Sequence, residues 1–352
     1  MKKESKISGI GVISIISGIS TDAIRRSVRS VMSSIPTTSK NLRIPYTIVG
    51  GGKEDRSLQV SPPISILLLH RGSRPYRREY FKELEQLGTI EILSIEPGTG
   101  TYDVDDLSRK YPKIRFLLLH EEISRGEQIN IGMKEASSRF VFVMWSDMKV
   151  SSPLAPQLLH RFVEADRLCT FPVIQNTKLE TVPSVMVPAF QRRSLRVIPL
   201  LPQKNGVKSL FPFDYCGVYH REKYLLTGGY DYMIPNPYWQ KMDFGFRSHM
   251  WGENIEGETS FRVRYLGTEP SEDTTPDESY KQFFLKNLSI RFNGDQGEVP
   301  WSRFLPYCVR SGSSIFSALK EFKRVRAWVA INGYRFSRDA RDVTELWEGP
   351  EG

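Results

Sequence analysis

Two aspartates, Asp147 and Asp243, stand where a carboxylate could do chemistry. Asp147 follows Phe140–Trp145, a continuous apolar run that is typical of a strand buried on both faces. Ligands of open α/β sheets bind at the carboxyl ends of strands, where a carboxylate can hold Mg²⁺ or Mn²⁺ and, through the metal, a diphosphate. Asp243 shares a predicted helix face with Arg247, and such a carboxylate can serve as a general base. Both aspartates also suit structural roles, as a strand-closing turn residue and as a helix-start residue paired with arginine.

The helix that precedes the apolar strand has a clear start signal. Ser124 and Glu127 have the S-x-x-E spacing of a capping box, and Ile129, Met133 and Ala136 then repeat along one face. The segment therefore predicts a capped helix that leads into a buried strand ending on a carboxylate.

A second informative segment follows about seventy residues later. Cys216–Tyr219 predicts a short strand, Arg221–Leu226 predicts a helical turn, and Gly228-Gly229 predicts a turn that glycine forms easily. A helical stretch is then predicted to open at Met242-Asp243. The order of these elements places the second carboxylate after a glycine turn and a proline-containing loop.

The region before the capped helix alternates between strand and helix patterns. Three strands and two helices are predicted, the strands at Ile64–His70, Thr89–Ile95 and Ile114–His120 and the helices at Pro75–Leu87 and Asp103–Lys110. Such alternation indicates an α/β fold with a largely parallel sheet. Glu96 follows the second strand, where it is a candidate for a nucleoside contact or a solvated turn residue.

The segment from Ser124 to Asp147 carries a resemblance to a known family. Arg125-Gly126, Asn130, Gly132 and Ala136, followed by a strand that ends in a D-x-D-like triplet, resemble the middle of family 2 glycosyltransferases with the GT-A fold. The order GG-Y-D … W-x-x-M-D resembles a galactosyltransferase-like acceptor segment of the same enzymes. In this chain Trp145 replaces the first aspartate of the triplet, and Met242 replaces the glutamate before Asp243.

The resemblance implies a mixed, mostly parallel sheet flanked by helices and an inverting transfer of a hexosyl or N-acetylhexosaminyl group. The donor is a nucleotide-sugar, with a UDP-sugar as the first choice, the metal is Mn²⁺ or Mg²⁺, and the acceptor is a glycan or glycolipid, as in polysaccharide biosynthesis. The implied sites are the base Asp243; the donor contacts Glu96, Arg125, Gly126, Asn130, Ser146 and Asp147; the acceptor contacts Asp214, Gly228, Gly229, Asp231 and Trp239; and the metal ligands Asp147 and His249.

Two other function classes stay open. The replacement of two acidic residues fits a catalytically degenerate GT-A domain that binds a glycan or a partner. A nucleotidyltransferase-like α/β protein would share the strand-end carboxylate and would need a glycine-rich, basic phosphate loop, for which Gly50-Gly51-Gly52-Lys53 is the nearest candidate.

The predicted domains follow from where the fold starts. Residues 1–60 form an N-terminal β-α-β extension, on the sheet edge or in an oligomer contact, because a start at Ile64 reaches Asp147 with ordinary loop lengths. Residues 61–300 form the GT-A domain, with a nucleotide half (61–150) and an acceptor half (151–300), and residues 301–352 form a helical tail.

Composition bounds the partners. The chain has 352 residues, 39% of them hydrophobic, and its net charge of +9 comes from 49 basic residues scattered among 40 acidic ones, with no nucleic-acid module. Three distant cysteines and the lack of a membrane-length apolar run predict a cytoplasmic protein. The basic amphipathic pattern of Ser314–Ile331 predicts a helix that lies on the anionic inner face of the membrane or docks on the domain.

Overall fold

The computed structural model describes residues 44–51, 63–71, 77–85, 90–97, 103–151, 155–191 and 194–347. Most of the predicted N-terminal extension, including its proposed helix, therefore lies outside the described residues. The last strand of that extension is described, as β1, and it pairs antiparallel with the edge of the main sheet. The domain division itself stays a prediction.

The described residues form a mixed nine-stranded sheet and two short two-stranded sheets. The strands in chain order are β1 (Tyr46–Gly50), β2 (Ser65–Leu69), β3 (Glu91–Glu96), β4 (Ile114–Leu119), β5 (Phe140–Trp145), β6 (Met148–Val150), β7 (Cys169–Gln175), β8 (Val185–Gln191), β9 (Ser194–Leu200), β10 (Gly217–His220), β11 (Ile255–Tyr265), β12 (Arg291–Phe292) and β13 (Gly297–Glu298). The order in the main sheet is β1-β4-β3-β2-β5-β10-β7-β11-β6.

Helices cover this sheet and continue beyond it. They are α1 (Arg77–Glu85), α2 (Val104–Lys110), α3 (Arg125–Glu135), α4 (Pro156–Glu164), α5 (Arg221–Leu226), α6 (Pro237–Met250), α7 (Glu278–Phe283), α8 (Phe304–Ser311), α9 (Ile315–Asn332) and α10 (Ala340–Glu345). The predicted α/β class with a GT-A-type sheet flanked by helices is confirmed.

The parallel part of the sheet places the site. Strands β4, β3, β2 and β5 run parallel, and their residues are buried along almost their whole length, as continuous apolar runs require. Leu69 pairs with Trp145 and Leu68 pairs with Ser94, so these three strands end level with one another. Their carboxyl ends therefore share one edge, which is where His70, Arg71, Ser146 and Asp147 follow.

Local signals explain the helix before β5. Ser124 Oγ accepts a hydrogen bond from the Glu127 backbone N–H, and Glu127 Oε2 accepts one from the Ser124 backbone N–H at 3.0 Å, so the predicted capping box is formed. These two bonds satisfy donors that would otherwise be unpaired at the helix start.

The prediction that a helix opens at Met242-Asp243 is wrong. Helix α6 begins at Pro237, because Asn236 caps it by accepting from the N–H groups of Tyr238 and Trp239, and proline is favoured at the first helical position. Asp243 consequently lies in the buried middle of a 14-residue helix.

A second hydrophobic core lies away from the parallel strands. It joins α6 to the C-terminal helices through apolar side chains that include Phe246, Phe283, Phe322, Val325 and Val329. Among the helices in the described ranges, none combines the length and apolar character needed to cross a bilayer.

Candidate functional site

Arg71 links two carboxylates at the end of the parallel strands. Its Nε donates to Asp147 Oδ2 at 3.0 Å, and its two terminal nitrogens bond both carboxylate oxygens of Asp214, one at 2.9 Å. The paired geometry on Asp214 is the fork that arginine forms with carboxylates. Asp147 and Asp214 are 67 residues apart in sequence, and the structure brings both of them to one guanidinium group.

Trp145 forms the base of this cluster. Its indole ring lies 4.0 Å from the Arg71 guanidinium carbon and 5.7 Å from that of Arg125, and its Nε1 donates to the Asp214 carbonyl at 2.8 Å. Cation–π contacts of this kind stabilise partly desolvated guanidinium groups. Trp145, which stands in place of the first aspartate of the D-x-D-like triplet, therefore supports two cationic side chains beside Asp147.

The loop that carries Asp214 has an unusual backbone. Asp214 and Tyr215 both have positive φ angles, 53° and 61°, which residues other than glycine rarely adopt. The Tyr265 hydroxyl donates to Asp214 Oδ2 at 2.7 Å and, with Arg71, holds the loop in this conformation. Strained backbone of this type is concentrated at functional sites. Asp214, a predicted acceptor contact, shares Arg71 with Asp147, a predicted contact of the sugar donor, and the role of Asp214 stays a prediction.

His70 connects the ends of three of the four parallel strands, β2, β3 and β5. Its Nδ1 hydrogen-bonds Ser146 Oγ at 2.9 Å and its Nε2 hydrogen-bonds Ser94 Oγ at 2.8 Å. Ser94 donates in turn to Glu96 Oε1 at 2.8 Å, and Glu96 is only 3% exposed. Ser146 and Glu96, two predicted contacts of the nucleotide-sugar, therefore belong to one network, in which His70 is the least buried member with 10% of its side chain exposed.

Asp147 has one oxygen that no described residue bonds. Its Oδ1 is buried without a hydrogen-bond donor from the part of the chain described, while Oδ2 is held by Arg71. Burial raises the pKa of Asp147 above its usual range even though Arg71 opposes the shift. A buried carboxylate with an unpaired oxygen is stabilised when a cation binds to it. It fits a Mn²⁺ or Mg²⁺ ion that takes its other ligands from a diphosphate.

His249, the second predicted metal ligand, has other contacts. Its Nε2 hydrogen-bonds the Ser209 carbonyl at 3.0 Å, and its ring packs edge-on against Trp347 at 5.0 Å. Within the described ranges no three His, Cys, Asp or Glu side chains form a group that could hold a metal. Among the described residues, Asp147 Oδ1, which has no hydrogen-bond partner, therefore remains the candidate metal ligand.

Burial of His249 makes stability depend on pH. Burial lowers the pKa of His249 to about 4, so the unfolded chain takes up a proton between about pH 6.5 and 4 that the folded protein does not. The free energy of unfolding should be highest above pH 6.5 and fall by about 3 kcal/mol as the pH is lowered to 4. Thermal melts of wild type and His249→Gln across this range would measure the difference. The exposed His160 provides the control His160→Gln, which should follow the wild-type curve. Parallel curves for wild type and His249→Gln would contradict the expectation.

Gly126, Asn130 and Gly229, three of the predicted site residues, join α3 to the glycine turn. Asn130 Nδ2 donates to the Tyr230 carbonyl at 2.8 Å, and its Oδ1 accepts from the Tyr230 N–H at 3.0 Å. A Cβ on Gly229, whose φ is +68°, would lie 2.2 Å from Asn130 Oδ1. The Gly126 N–H donates to Gln240 Oε1 at 2.9 Å. These contacts are internal, so the residues position α3 and α6 relative to each other.

Replacing Gly126 with alanine should destabilise the protein. The new Cβ would lie 2.4 Å from both Gln240 Oε1 and Tyr230 Cβ, so packed neighbours would have to move. Overpacking of this kind costs about 1–3 kcal/mol of unfolding free energy. Chemical denaturation measures it, with Gly267→Ala as the control because no atom lies within 4 Å of the Cβ built there. Equal stability of the two variants would show that the contact relaxes freely.

Asp243 lies at the centre of a buried ionic cluster. It is fully buried, its Oδ2 accepts from Arg247 at 3.0 Å, and its Oδ1 accepts from Asn287 Nδ2 at 2.8 Å. Lys286 Nζ lies 3.7 Å from Oδ1 and also bonds Asp231. The pKa of Asp243 is lowered, because Lys286 and Arg247 outweigh the desolvation of the carboxylate. In this conformation the predicted base is an anion that is buried and hydrogen-bonded, not one that is exposed to solvent.

The remaining predicted acceptor residues are also engaged. Asp231 accepts from Lys286 and, at 2.9 Å, from the Met233 N–H, while Gly228 forms the positive-φ turn before it. The Trp239 Nε1 donates to the Thr275 carbonyl at 2.9 Å, and its ring packs 4.7 Å from that of Tyr280. Whether these residues contact an acceptor stays a prediction.

Sequence reasoning missed several residues of both clusters. His70 and Arg71 directly follow β2, so the strand-end rule that identified Asp147 also identifies them. Lys286 and Asn287 lie in a π-helical turn, Phe284–Leu288, and no periodic or capping signal marks them.

The sequence and the structure differ in what they match among known proteins. No protein-family model matches the sequence, and no curated protein sequence matches it. The structure is similar to that of GalNAc-T7 with UDP, GalNAc and Mn²⁺, at a TM-score of 0.51 and 14% identity, over 82% of this chain and 58% of that one. It is also similar to residues 1–349 of S. aureus TarS in complex with UDP-GlcNAc, at a TM-score of 0.44 and 12% identity, over 63% of this chain and 64% of that one.

A second S. aureus TarS structure matches at a TM-score of 0.45 and 12% identity, over 81% of this chain and 55% of that one. The chain thus spans less than two thirds of each of these relatives. The sheet order, the position of the site at the parallel strand ends and the match to GalNAc-T7 agree with one another. The chain therefore has the fold of the GT-A glycosyltransferases.

Proposed function

We propose that this protein is a glycosyltransferase that moves a sugar from a UDP-sugar donor to a glycan or a lipid-linked acceptor. The observation that carries the proposal is the cluster of Arg71, Asp147 and Asp214 at the carboxyl ends of the parallel strands, on a GT-A fold. Arg125 completes it from the first turn of α3. The structure of GalNAc-T7, whose fold this chain shares, contains UDP, GalNAc and Mn²⁺.

The residues of the cluster act on the diphosphate of the donor. The start of α3 offers the positive end of the helix dipole, and Arg125 adds a guanidinium group that is partly exposed. Arg71 holds Asp147 and Asp214 in place and retains N–H donors that can reach a phosphate oxygen. His70, held by Ser94 and Ser146 at the same strand ends, is proposed to contact the ribose or the base.

Charge balance explains what a metal would supply. The two arginines of the cluster are matched by the two aspartates, so the negative charge of a diphosphate meets no surplus of positive charge there. Bound Mn²⁺ or Mg²⁺ would stabilise the charge that builds on the leaving diphosphate, with Asp147 Oδ1 as its protein ligand. Asp147 is in this way the residue that joins the chain to both metal and donor.

The base for an inverting transfer is proposed to be Asp243, from the family resemblance. An acceptor hydroxyl must come within hydrogen-bond distance of that carboxylate, which requires Lys286 and Asn287 to move away from it. The buried state of Asp243 also supports the alternative of a degenerate GT-A domain that binds without turnover. The two functions differ in chemistry and share the donor site.

Calorimetry with UDP, GDP and UDP-sugars, with and without Mn²⁺, tests the proposal. We expect UDP to bind, Mn²⁺ to strengthen the binding, and GDP to serve as the base-specificity control. Release of UDP in the presence of glycan or glycolipid acceptors then separates an enzyme from a degenerate domain. A protein that binds no UDP under either condition would contradict the proposed function.

A further inference from the structure

An exposed apolar surface lies where the C-terminal helices begin. It consists of five large apolar side chains that are between 52% and 86% exposed, namely Trp301, Leu305, Val309, Ile315 and Phe316. We call this set the apolar tip. Single exposed apolar side chains are common on protein surfaces and need no explanation. Five of them within sixteen positions of the sequence are unusual.

The apolar tip follows from the geometry of α8. Trp301, Leu305 and Val309 are spaced four residues apart and so lie along one side of the chain as it enters and forms the helix. Tyr307 and Ser311 are the buried residues of α8, on its other side. The helix therefore packs on the second core through one face and presents a row of apolar side chains on the other. Ile315 and Phe316 add the first turn of α9.

Along the sequence of the tip the charges have one sign. Between Glu298 and Glu321 the sequence contains no acidic residue, while Arg303, Arg310 and Lys320 lie in that interval. Arg310 and Lys320 are exposed. Asp277 and Glu278 line a pocket with Tyr307 and Ser311, so these acids lie toward the buried side of α8. Exposed apolar side chains with cations as their sequence neighbours fit the surface of an anionic bilayer, where the former enter the acyl boundary and the latter meet the headgroups.

We propose that the apolar tip is a membrane-contact surface that binds anionic lipid. The half-exposed indole of Trp301 suits the interfacial zone, and its ring carries the Arg326 guanidinium at 4.5 Å, which places another cation beside the tip. This proposal does not depend on the glycosyltransferase activity. It concerns where the protein binds rather than what it transfers.

The proposed surface differs from the one that the helical pattern of Ser314–Ile331 predicts. The apolar stripe of α9 is buried against the second core, at Ala318, Phe322, Val325 and Val329, so this stripe cannot contact lipid. The first turn of α9 remains exposed, at Ile315 and Phe316. The structure thus moves the lipid-binding surface from the length of α9 to α8 and the start of α9.

Vesicle co-sedimentation of the full chain tests the proposal. We expect binding to vesicles of phosphatidylcholine with phosphatidylglycerol, little binding to phosphatidylcholine alone, and a fall in binding as salt rises from about 0.05 M to about 0.5 M. The double variant Leu305→Ser, Phe316→Ser should lower partitioning about tenfold or more, because it removes two apolar side chains that would enter the bilayer. The control double variant Val163→Ser, Leu226→Ser removes half-exposed apolar side chains elsewhere and should bind as wild type does.

Circular dichroism melts of both double variants establish that they fold, which is expected because all four positions are exposed. Three results would overturn the proposal. They are an absence of binding to anionic vesicles, equal binding by the Leu305→Ser, Phe316→Ser variant, and a concentration-dependent dimer in gel filtration that this variant abolishes. The last result would make the tip an interface between two copies of the chain.

Discussion

Replacing Asp147 with asparagine is expected to lower the affinity for UDP in the presence of Mn²⁺ at least about tenfold and to remove turnover. Asparagine keeps the size of the side chain and can still accept the hydrogen bond from Arg71 Nε. It removes the anionic oxygen, Oδ1, that no described donor satisfies. Burial raises the pKa of Asp147, so the charged form is already disfavoured in the free protein, and the substitution should leave the melting temperature almost unchanged.

The measurement is calorimetry with UDP, in Mn²⁺ and in EDTA, for wild type and variant. In wild type the two conditions should give different affinities, and in Asp147→Asn the difference should vanish because the ligand that couples metal to donor is lost. Asp106→Asn, at an exposed aspartate of α2, is the matched control and should keep the metal response. A variant that retains the full Mn²⁺ effect would place the metal elsewhere.

Local signals predicted much of the first half of this protein. The capping box at Ser124 and the apolar run Phe140–Trp145 depend on neighbours within a few residues, and the structure confirms both. The motif around Met242 predicts too late a start for α6, because Asn236-Pro237 carries the stronger start signal. Where a motif and a capping signal predict different helix starts, backbone hydrogen bonds decide between them, and here they favour the cap at Asn236.

The site itself could be predicted only in part. The strand-end rule located Asp147, but its pairing with Asp214 through Arg71 joins residues up to 143 positions apart, and no local pattern encodes such a distance. The same holds for Asp243 and Asn287, which meet across 44 positions. Sequence spacing identified Arg247 as a partner because it lies one helical turn away, and it could not reveal that Lys286 and Asn287 complete the enclosure.

Replacing Asp243 with asparagine should therefore destabilise the protein strongly. The carboxylate is fully buried, and Arg247, itself 1% exposed, would lose its ionic partner. Removing one member of a buried ion pair costs about 3–5 kcal/mol because the other charge stays buried without compensation. For a protein of this size the melting temperature should fall by on the order of 10 °C. Asp295→Asn, at an exposed aspartate, should change it little.

Two measurements on the Asp243→Asn variant separate a structural anion from a catalytic base. Thermal melts report the loss of the ion pair, and single-turnover transfer to an acceptor, measured well below the melting temperature, reports the chemistry. A base role predicts a transfer rate lowered on the order of 10² or more with donor affinity unchanged. If the variant melts as wild type does and transfers sugar at the wild-type rate, neither role holds.

Because the lowered pKa of Asp243 keeps it ionised at neutral pH, the ion pair with Arg247 should lose its stabilising effect only in acid, as the pH falls through that lowered pKa.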